Sequence, residues 1–397
     1  MTKTLSWQEC KLDDLGFVGR GKSKHRPRND PSLYGGDYPF VQTGDIKNAT
    51  LHLTDYSQTY NEKGFSQSKL WEPETLCITI AANIADTAIL GKKACFPDSI
   101  VGFIADPQKA DVRFVKYYID TIKLQMQNVS KGTTQDNLSL DKLLRFNFRV
   151  PPLILQHKIA YVISAYDYLI ENSNRRIKIL EGMAQIIYNE WFVKFRFPEH
   201  SKVKMVKSEL GEIPEGWEVI LVRDAIERIS AGKRYDNKSA LPKGKVPILD
   251  QGKSGVIGYH NNEPDVMASE GKPLIVFANH TCYQTLVMFP FSSIQNVLPF
   301  IASSDKQRDI YWLHYATKDV VKFNDYKGHY PEFISKKVIL PLEDICSNFG
   351  HIVKSLLQLK YRLEQKNVIL QQTRDLLLPR LISGELDVEN LNIKVDN

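Results

Sequence analysis

Two stretches of this chain share one hydrophobic rhythm. After Val150-Pro151-Pro152-Leu153 the sequence runs without Gly or Pro to Gly182; after Leu340-Pro341-Leu342 it runs to Pro379, interrupted only by Gly350. In the first stretch Ile159, Ile163, Tyr166, Ile170, Ser173, Ile177, Leu180, Ala184, Ile187 and Trp191 recur at steps of four and three, which is a heptad seam. In the second, Ile352, Leu356, Leu359, Leu363, Lys366, Leu370, Thr373 and Leu377 keep the same steps, with two polar interruptions. Residues 156–192 as one helix would span about 55 Å at 1.5 Å per residue. That outruns the usual globular helix, so the spacing predicts two long helices that pair as a coiled-coil spacer. The plainer alternative is two long core helices.

The stretches lie 190 residues apart: Pro151 matches Pro341, Ile163 matches Val353, Leu180 matches Leu370, and Ile187 matches Leu377. The segments before them also correspond. Trp7 and Trp217 each open a half. Gly21-Lys22 corresponds to Gly232-Lys233, and Pro39-Phe40-Val41-Gln42-Thr43-Gly44 to Pro247-Ile248-Leu249-Asp250-Gln251-Gly252. The short apolar runs Leu76–Ile80 and Leu274–Phe277 predict buried strands, leading to Ala82-Asn83 and Ala278-Asn279. The chain therefore divides into β-rich modules over 1–150 and 201–340, each followed by a helical segment, 151–200 and 341–397. The linker from Pro198 to Trp217 holds Gly211, Pro214 and Gly216 and cannot be regular helix.

Composition adds limits. The 397 residues exceed one ordinary domain, and 43% apolar content excludes gross disorder. The formal charge of +6 resolves into +3 on each module and almost none on the helical segments. Such modules are suited to meeting phosphates without announcing it. Five cysteines, none in a CxxC pair, argue against a zinc site or a disulfide framework and fit a reducing cytoplasm. The N-terminus lacks the apolar stretch of a signal peptide, and no run is apolar enough to span a membrane.

Two motifs invite enzymatic readings. Gly16-Phe17-Val18-Gly19-Arg20-Gly21-Lys22-Ser23 fits GxxxxGK[ST], which would make the chain a P-loop nucleotidase. That loop needs a helix after it, but Lys24-His25-Arg26-Pro27-Arg28-Asn29-Asp30-Pro31 does not read as one. The stretch is better read as a basic loop. Asp265 and Glu270-Gly271-Lys272 suggest the acidic clamp of a nuclease, yet the spacing leaves no room for two adjacent strands. No catalytic residue, metal ligand or cofactor is assigned. A coiled-coil scaffold without DNA binding is the remaining alternative.

Several segments together resemble the specificity (S) subunit of type I restriction-modification systems. These are Tyr38-Pro39-Phe40-Val41-Gln42-Thr43-Gly44-Asp45-Ile46, Lys131-Gly132-Thr133-Thr134-Gln135-Asp136-Asn137-Leu138-Ser139 with the Pro151-Pro152-Leu153 exit, and Glu190-Trp191-Phe192-Val193-Lys194-Phe195-Arg196-Phe197-Pro198. Leu210-Gly211-Glu212-Ile213-Pro214-Glu215-Gly216-Trp217 and Leu377-Leu378-Pro379-Arg380-Leu381-Ile382-Ser383-Gly384-Glu385-Leu386 complete the set. The second module departs from the pattern, with Gly328-His329-Tyr330 where the first has Gly132-Thr133-Thr134.

The resemblance implies an α+β fold. Two β-rich mixed α/β target-recognition domains would be separated by two long helices pairing as an antiparallel coiled coil, in a pseudo-twofold repeat. It implies a non-catalytic chain that reads a bipartite duplex DNA target, one half-site per module, with the helices setting the gap. Adenine methyltransferase subunits, two of them, and restriction or motor subunits would dock on it. Side chains suited to reading bases or holding phosphates are Arg26, Arg28, Gln42, Thr43, Asn83, Lys131, Thr133, Thr134 and Gln135 in the first module. In the second they are Lys233, Arg234, Lys253, Asn279, His280, Lys327, His329 and Tyr330. Helix pairing is assigned to Ile163, Ile170, Ile177, Leu180, Ile187, Leu356, Leu363, Leu370 and Leu377.

Overall fold

A computed structural model describes residues 6–130, 137–252, 255–305, 308–325 and 327–393. The chain forms two compact units: residues 1–174 with 365–397, and residues 175–364. The units do not end where the β-rich modules end. The central helix, Leu153–Tyr188, and the C-terminal helix, Glu343–Ile382, each contribute one part to each unit.

In the first unit, strand Gln8–Cys10 pairs antiparallel with Phe148–Val150, which feeds directly into the central helix. Between them lies a five-stranded sheet in the order Gly16–Arg20, Ile100–Ala105, Leu76–Thr79, Thr87–Leu90, His52–Leu53. Every residue of Leu76–Thr79 and Thr87–Leu90 is buried, which is why those strands read as continuous apolar runs. Helix Val112–Ser130 covers this sheet, and Ile159, Ala160 and Ile163 of the central helix enter the same core. A four-stranded sheet joins Gln58–Tyr60, Tyr34–Phe40, Ala94–Cys95 and Leu70–Trp71. The chain's tail returns to this unit: Leu381, Ile382 and Val388 are buried in its core, and Trp7 lies over Gly384. A Cβ there would stand 3.0 Å from the indole, and φ is +78°, so the position suits glycine twice over.

The second unit repeats the plan. Glu218–Leu221 pairs with Lys337–Leu340, which leads into the C-terminal helix. The registers Gln8↔Val150 and Glu218↔Leu340 place both ends of the two modules in correspondence. One sheet runs Ile226–Arg228, Val297–Ala302, Leu274–Ala278, Gln284–Val287; the other runs Arg234–Tyr235, Ser292–Ile294, Val246–Leu249, Val256–His260. The parallel contact Phe40↔Cys95 of the first module has its counterpart in Ile248↔Ser292. The covering helix is shorter, Ile310–Thr317. The linker forms a hairpin, Met205–Ser208 with Gly211–Pro214, and Trp217 packs against Phe192, Phe195 and Phe197.

The helices pair antiparallel within each unit. On the central helix Ile163, Ile170 and Leu180 are buried, and Ile177 and Ile187 half-buried. On the C-terminal helix Leu363 is buried, and Leu356, Leu370 and Leu377 half-buried. The rest of the second seam needs correction. Ile352, Leu359 and Lys366 are exposed, and Val353, Lys360, Asn367 and Arg374 turn inward instead. The reason is a row of polar pairs, one per heptad on both helices. Asp167 accepts from Arg374 Nη1 at 2.5 Å, Asn174 Oδ1 accepts from Asn367 Nδ2 at 2.8 Å, and Glu181 meets Lys360 Nζ at 2.7 Å. The Asp167 side chain is wholly buried, and its second oxygen accepts the Tyr117 hydroxyl at 2.5 Å from the module's own helix. These partners let polar residues occupy a seam that hydrophobicity alone would deny them.

Nearby, Glu171 of the central helix accepts from the N–H groups of Leu51 and His52 and from the His52 ring at 3.4 Å. Its hydrogen bond, opposed by burial and aided by its charge, raises the His52 pKa.

Removing Asp167 with Ala should cost about 3–5 kcal/mol, because Arg374 and Tyr117 lose a buried partner. The double replacement Asp167→Leu with Arg374→Leu should cost clearly less; chemical denaturation of both variants measures the difference. For His52 the raised folded-state pKa means the pair stabilises below the unfolded value, near 6.5, and the contribution fades as pH rises through the folded value. The Tm gap between the parent and His52→Gln should therefore be wider at about pH 6 than at about pH 8.5. An equal gap at both would show that the imidazolium–Glu171 pair does not support the fold.

Candidate nucleic-acid interface

The first module opens a cleft of about 870 Å³ where the ends of its two sheets meet. Arg28, Gln42 and Thr43 line it together with Tyr34, Gln58 and Ala82. The Gln42 backbone is fixed by a capping bond, its N–H donating to Asp45 Oδ2 at 2.8 Å, and its side-chain amide bonds Gln58 Oε1. Two linked carboxamides at a cleft wall offer the donor–acceptor pattern that adenine edges match. A second cleft of about 400 Å³ adjoins it, lined by Arg20, Arg28, Asp98, Asn137 and Ser139.

The basic loop is held by its own acids. Arg28 pairs with Asp98, and Arg26 lies 3.7 Å from the same carboxylate while donating to the Ser23 and His25 carbonyls. Arg26 does not line the large cleft. His25 bonds Asp30 at 2.8 Å, and the Ser32 backbone N–H and hydroxyl hold Asp30 down at about 2. Asn83 is half-buried in a turn shaped by Ala82 and Ala85, both at φ 62°, and its carbonyl receives the Thr79 hydroxyl. Lys131, Thr133, Thr134 and Gln135 lie outside the described residues, as does Lys253 of the second module.

In the second module Asn279, His280, Lys327, His329 and Tyr330, five of the residues singled out by sequence, gather into one network. The His280 N–H donates to Gln251 Oε1 at 3.0 Å. Its Nδ1 faces the Lys327 carbonyl at 3.0 Å and must donate there, so Nε2 accepts from Asn296 Nδ2 at 2.9 Å. Asn279 Oδ1 accepts the Tyr330 N–H at 2.8 Å, and its carbonyl accepts the His329 N–H at 2.9 Å. Asn279 thus shapes the 327–330 loop rather than presenting its amide outward. His329 is a correction: its side chain is wholly buried, with Nε2 on the Asp325 carbonyl at 3.0 Å, so it is not offered to a ligand. Lys327 and Tyr330 are the members that face outward or carry a partner, with the Arg228 guanidinium 5.4 Å from the Tyr330 ring centre. Lys233 and Arg234 belong to the other sheet; Lys233 Nζ sits over Tyr235, and Arg234 bonds Ser293 Oγ at 3.2 Å. Gln251, Asn296 and Arg228 were missed from sequence. Only the Gln251 position carried a signal, through its correspondence with Thr43.

The enzymatic motifs do not assemble. The Gly21 and Lys22 amides, which a phosphate loop would present to a nucleotide, donate instead to the Ile100 and Phe96 carbonyls at 2.9 Å. The next helical turn is only the three residues Pro31–Leu33. Asp265 accepts from the Lys233 N–H and the Ser292 hydroxyl, while Glu270 pairs with Arg362 at 2.9 Å. Among the described residues no cluster of three or more His, Cys, Asp or Glu could hold a metal, and no helix is long and apolar enough to cross a membrane.

Comparison with known proteins shows what the chain is similar to. Residues 5–181 match the family model described as type I restriction modification DNA specificity domain. The chain is 25% identical over 420 residues to the type I restriction enzyme MjaIX specificity subunit of Methanocaldococcus jannaschii, covering 97% of this chain and 94% of that protein. The MjaVIII specificity subunit of the same organism is also 25% identical, with the same coverage. The crystal structure of the type I restriction-modification S subunit from M. genitalium shares the fold, with a TM-score of 0.60 at 17% identity over 96% of this chain and 97% of that one.

Asn279→Ala should release the 327–330 loop. Hydrogen exchange should quicken at the Tyr330 amide while the buried strand Leu274–Ala278 stays protected. Unchanged exchange at Tyr330 would mean that Asn279 does not hold the loop.

Proposed function

We propose that this chain, which belongs to the specificity subunits of type I restriction-modification systems, reads a bipartite duplex DNA target with one half-site per module. The observation that carries the reading is internal. One strand plan is used twice, and in each module loops from both sheets converge on a polar site. A reader of two different half-sites needs a shared scaffold and unlike loops. The first module presents Gln42, Thr43, Gln58 and Arg28 at an open cleft, whereas the second presents Lys327 and Tyr330 on a loop buttressed by Asn279, His280 and Asn296. Carboxamides suit adenine, and Arg and Lys suit guanine or phosphate.

In this reading the chain supplies recognition and no catalytic group. Two adenine methyltransferase subunits dock on it and carry out the chemistry, extruding the target base from the duplex. Restriction or motor subunits join the same complex, and it works in the cytoplasm. A repeated chain offers a repeated partner two matching settings.

Exchange of residues 1–150 for the corresponding module of a relative tests this. The junction falls at Val150, where the closing strand ends. Sequencing of modified bases in a host carrying the full system should show one half of the methylated motif replaced and the other half kept. Replacement of both halves, or of neither, would overturn the modular reading.

A further inference from the structure

The first sheet of each module holds a buried phenylalanine, Phe103 or Phe300, and aligning the sheets on that pair shows one strand that the second module lacks. Phe103 faces Leu76, which faces Ile89; Phe300 faces Ile275, which faces Leu286. Ile89 and Leu286 are therefore counterparts. In the first module strand His52–Leu53 runs parallel beside Thr87–Leu90 and closes that side of the sheet. The Ile89 and Gly91 amides donate to the Leu51 and Leu53 carbonyls at 2.9 and 3.0 Å. In the second module Gln284–Val287 ends the sheet, and among the described residues no strand pairs with its outer side. The difference lies in one connection. Strand Tyr34–Phe40 reaches Gln58–Tyr60 through residues 41–57, which hold the extra strand. The corresponding strands Val246–Leu249 and Val256–His260 are joined by residues 250–255 alone.

The bare edge has the geometry to accept a strand. Leu274–Ala278 and Gln284–Val287 pair in unbroken register, and the Ala278 N–H donates to the Tyr283 carbonyl at 2.8 Å. Alternation from that bond turns the N–H and C=O groups of Gln284 and Leu286 away from the sheet. Edge strands are commonly guarded by Lys, Pro or a bulge, and Gln284-Thr285-Leu286-Val287 has none of these. A cleft of about 710 Å³ lies between this edge and the helices, lined by Tyr283, Gln284, Leu286, Leu357 and Tyr361. In the first module Glu171 of the central helix holds the His52 N–H, and at the 190-residue offset position 171 answers to Tyr361. The cleft therefore occupies the place of the missing strand. Its charged lining is Glu181, Asp319 and Glu364 against Lys318 and Lys360, an excess of one negative charge.

We propose that this edge takes an extended peptide segment of a partner protein, added in parallel as His52–Leu53 is added in the first module. The ladder commits the occupant to polypeptide, because a backbone offers alternating C=O and N–H groups at the strand's own spacing. In the first module Leu51 and Leu53 are buried, and His52 between them meets the Glu171 carboxylate. The negative cleft of the second module fits the same pattern, a basic residue between two apolar ones.

The test uses the full chain and, as probe, a free peptide with the sequence of residues 49–55, centred on His52. It is run at about pH 6, where the imidazole is largely protonated. Saturable binding below about 1 mM should appear, with slowed hydrogen exchange at the Leu286 and Met288 amides. Leu286→Pro removes only an outward donor, so the chain should keep its Tm while binding falls about tenfold. N-methylation of the peptide at the Leu53 position should weaken binding as much with the protein unaltered, since that amide would bond the Leu286 carbonyl. Absence of saturable binding overturns the proposal, as does equal affinity for the parent and N-methylated peptides. Slowed Leu286 exchange with duplex DNA or at raised protein concentration, without any peptide effect, would give the edge to nucleic acid or to a second copy and would also overturn it.

Discussion

A buried carboxylate cannot stand alone, and in this protein Asp167 is satisfied from two directions at once. Tyr117 reaches it from the helix covering the first module's sheet, and Arg374 reaches it from the C-terminal helix. The first module, the central helix and the end of the chain are therefore held by one charge that only a narrow geometry can satisfy. The neighbouring polar pairs extend the same constraint along the seam. A slide by one heptad would set Asp167 against Asn367 or Leu381 and leave a charge short of a partner. An all-apolar seam would tolerate such a slide better, and so would specify the register less strictly.

Because the helices carry the register, the modules can vary. The closing strand pairs and the inner strand pairings recur in both, yet the five-stranded sheet of the first module has four strands in the second, and the covering helix shrinks from 19 residues to eight. The polar loops share almost no side chain. Buried strands must keep their apolar runs, so the scaffold changes slowly. Loops at strand ends answer only to what they touch.

The same difference explains what the sequence made legible. Continuous apolar runs marked Leu76–Thr79 and Leu274–Ala278, and paired tryptophans and prolines marked the module ends. The central seam was readable because its inward positions are mostly apolar. On the C-terminal helix periodicity chose Ile352 and Leu359, but the inward face belongs to Val353, Lys360, Asn367 and Arg374. No hydrophobicity pattern ranks a lysine or an arginine above a leucine. Only knowledge of Glu181 and Asp167 across the seam does so. Helix Val112–Ser130 escaped for a related reason: its buried face includes Lys116, paired with Asp120 one turn on in the same helix, and Tyr117, whose hydroxyl reaches Asp167 of the central helix.

At the candidate interface the sequence named the right neighbourhoods but could not separate roles. Asn279, His280 and His329 are donors and acceptors of the kind that read bases, and the fold turns them onto its own backbone. Arg228 carried no mark, because an arginine ending an edge strand looks like any solvated charge. Its place over the Tyr330 ring exists only once the 327–330 loop has folded back onto the strand. A repeated chain supplies its own comparison. What both copies keep is the closing strand pair and the buried strands beside it, so packing is what the repeat preserves, and the polar loops are where the copies part.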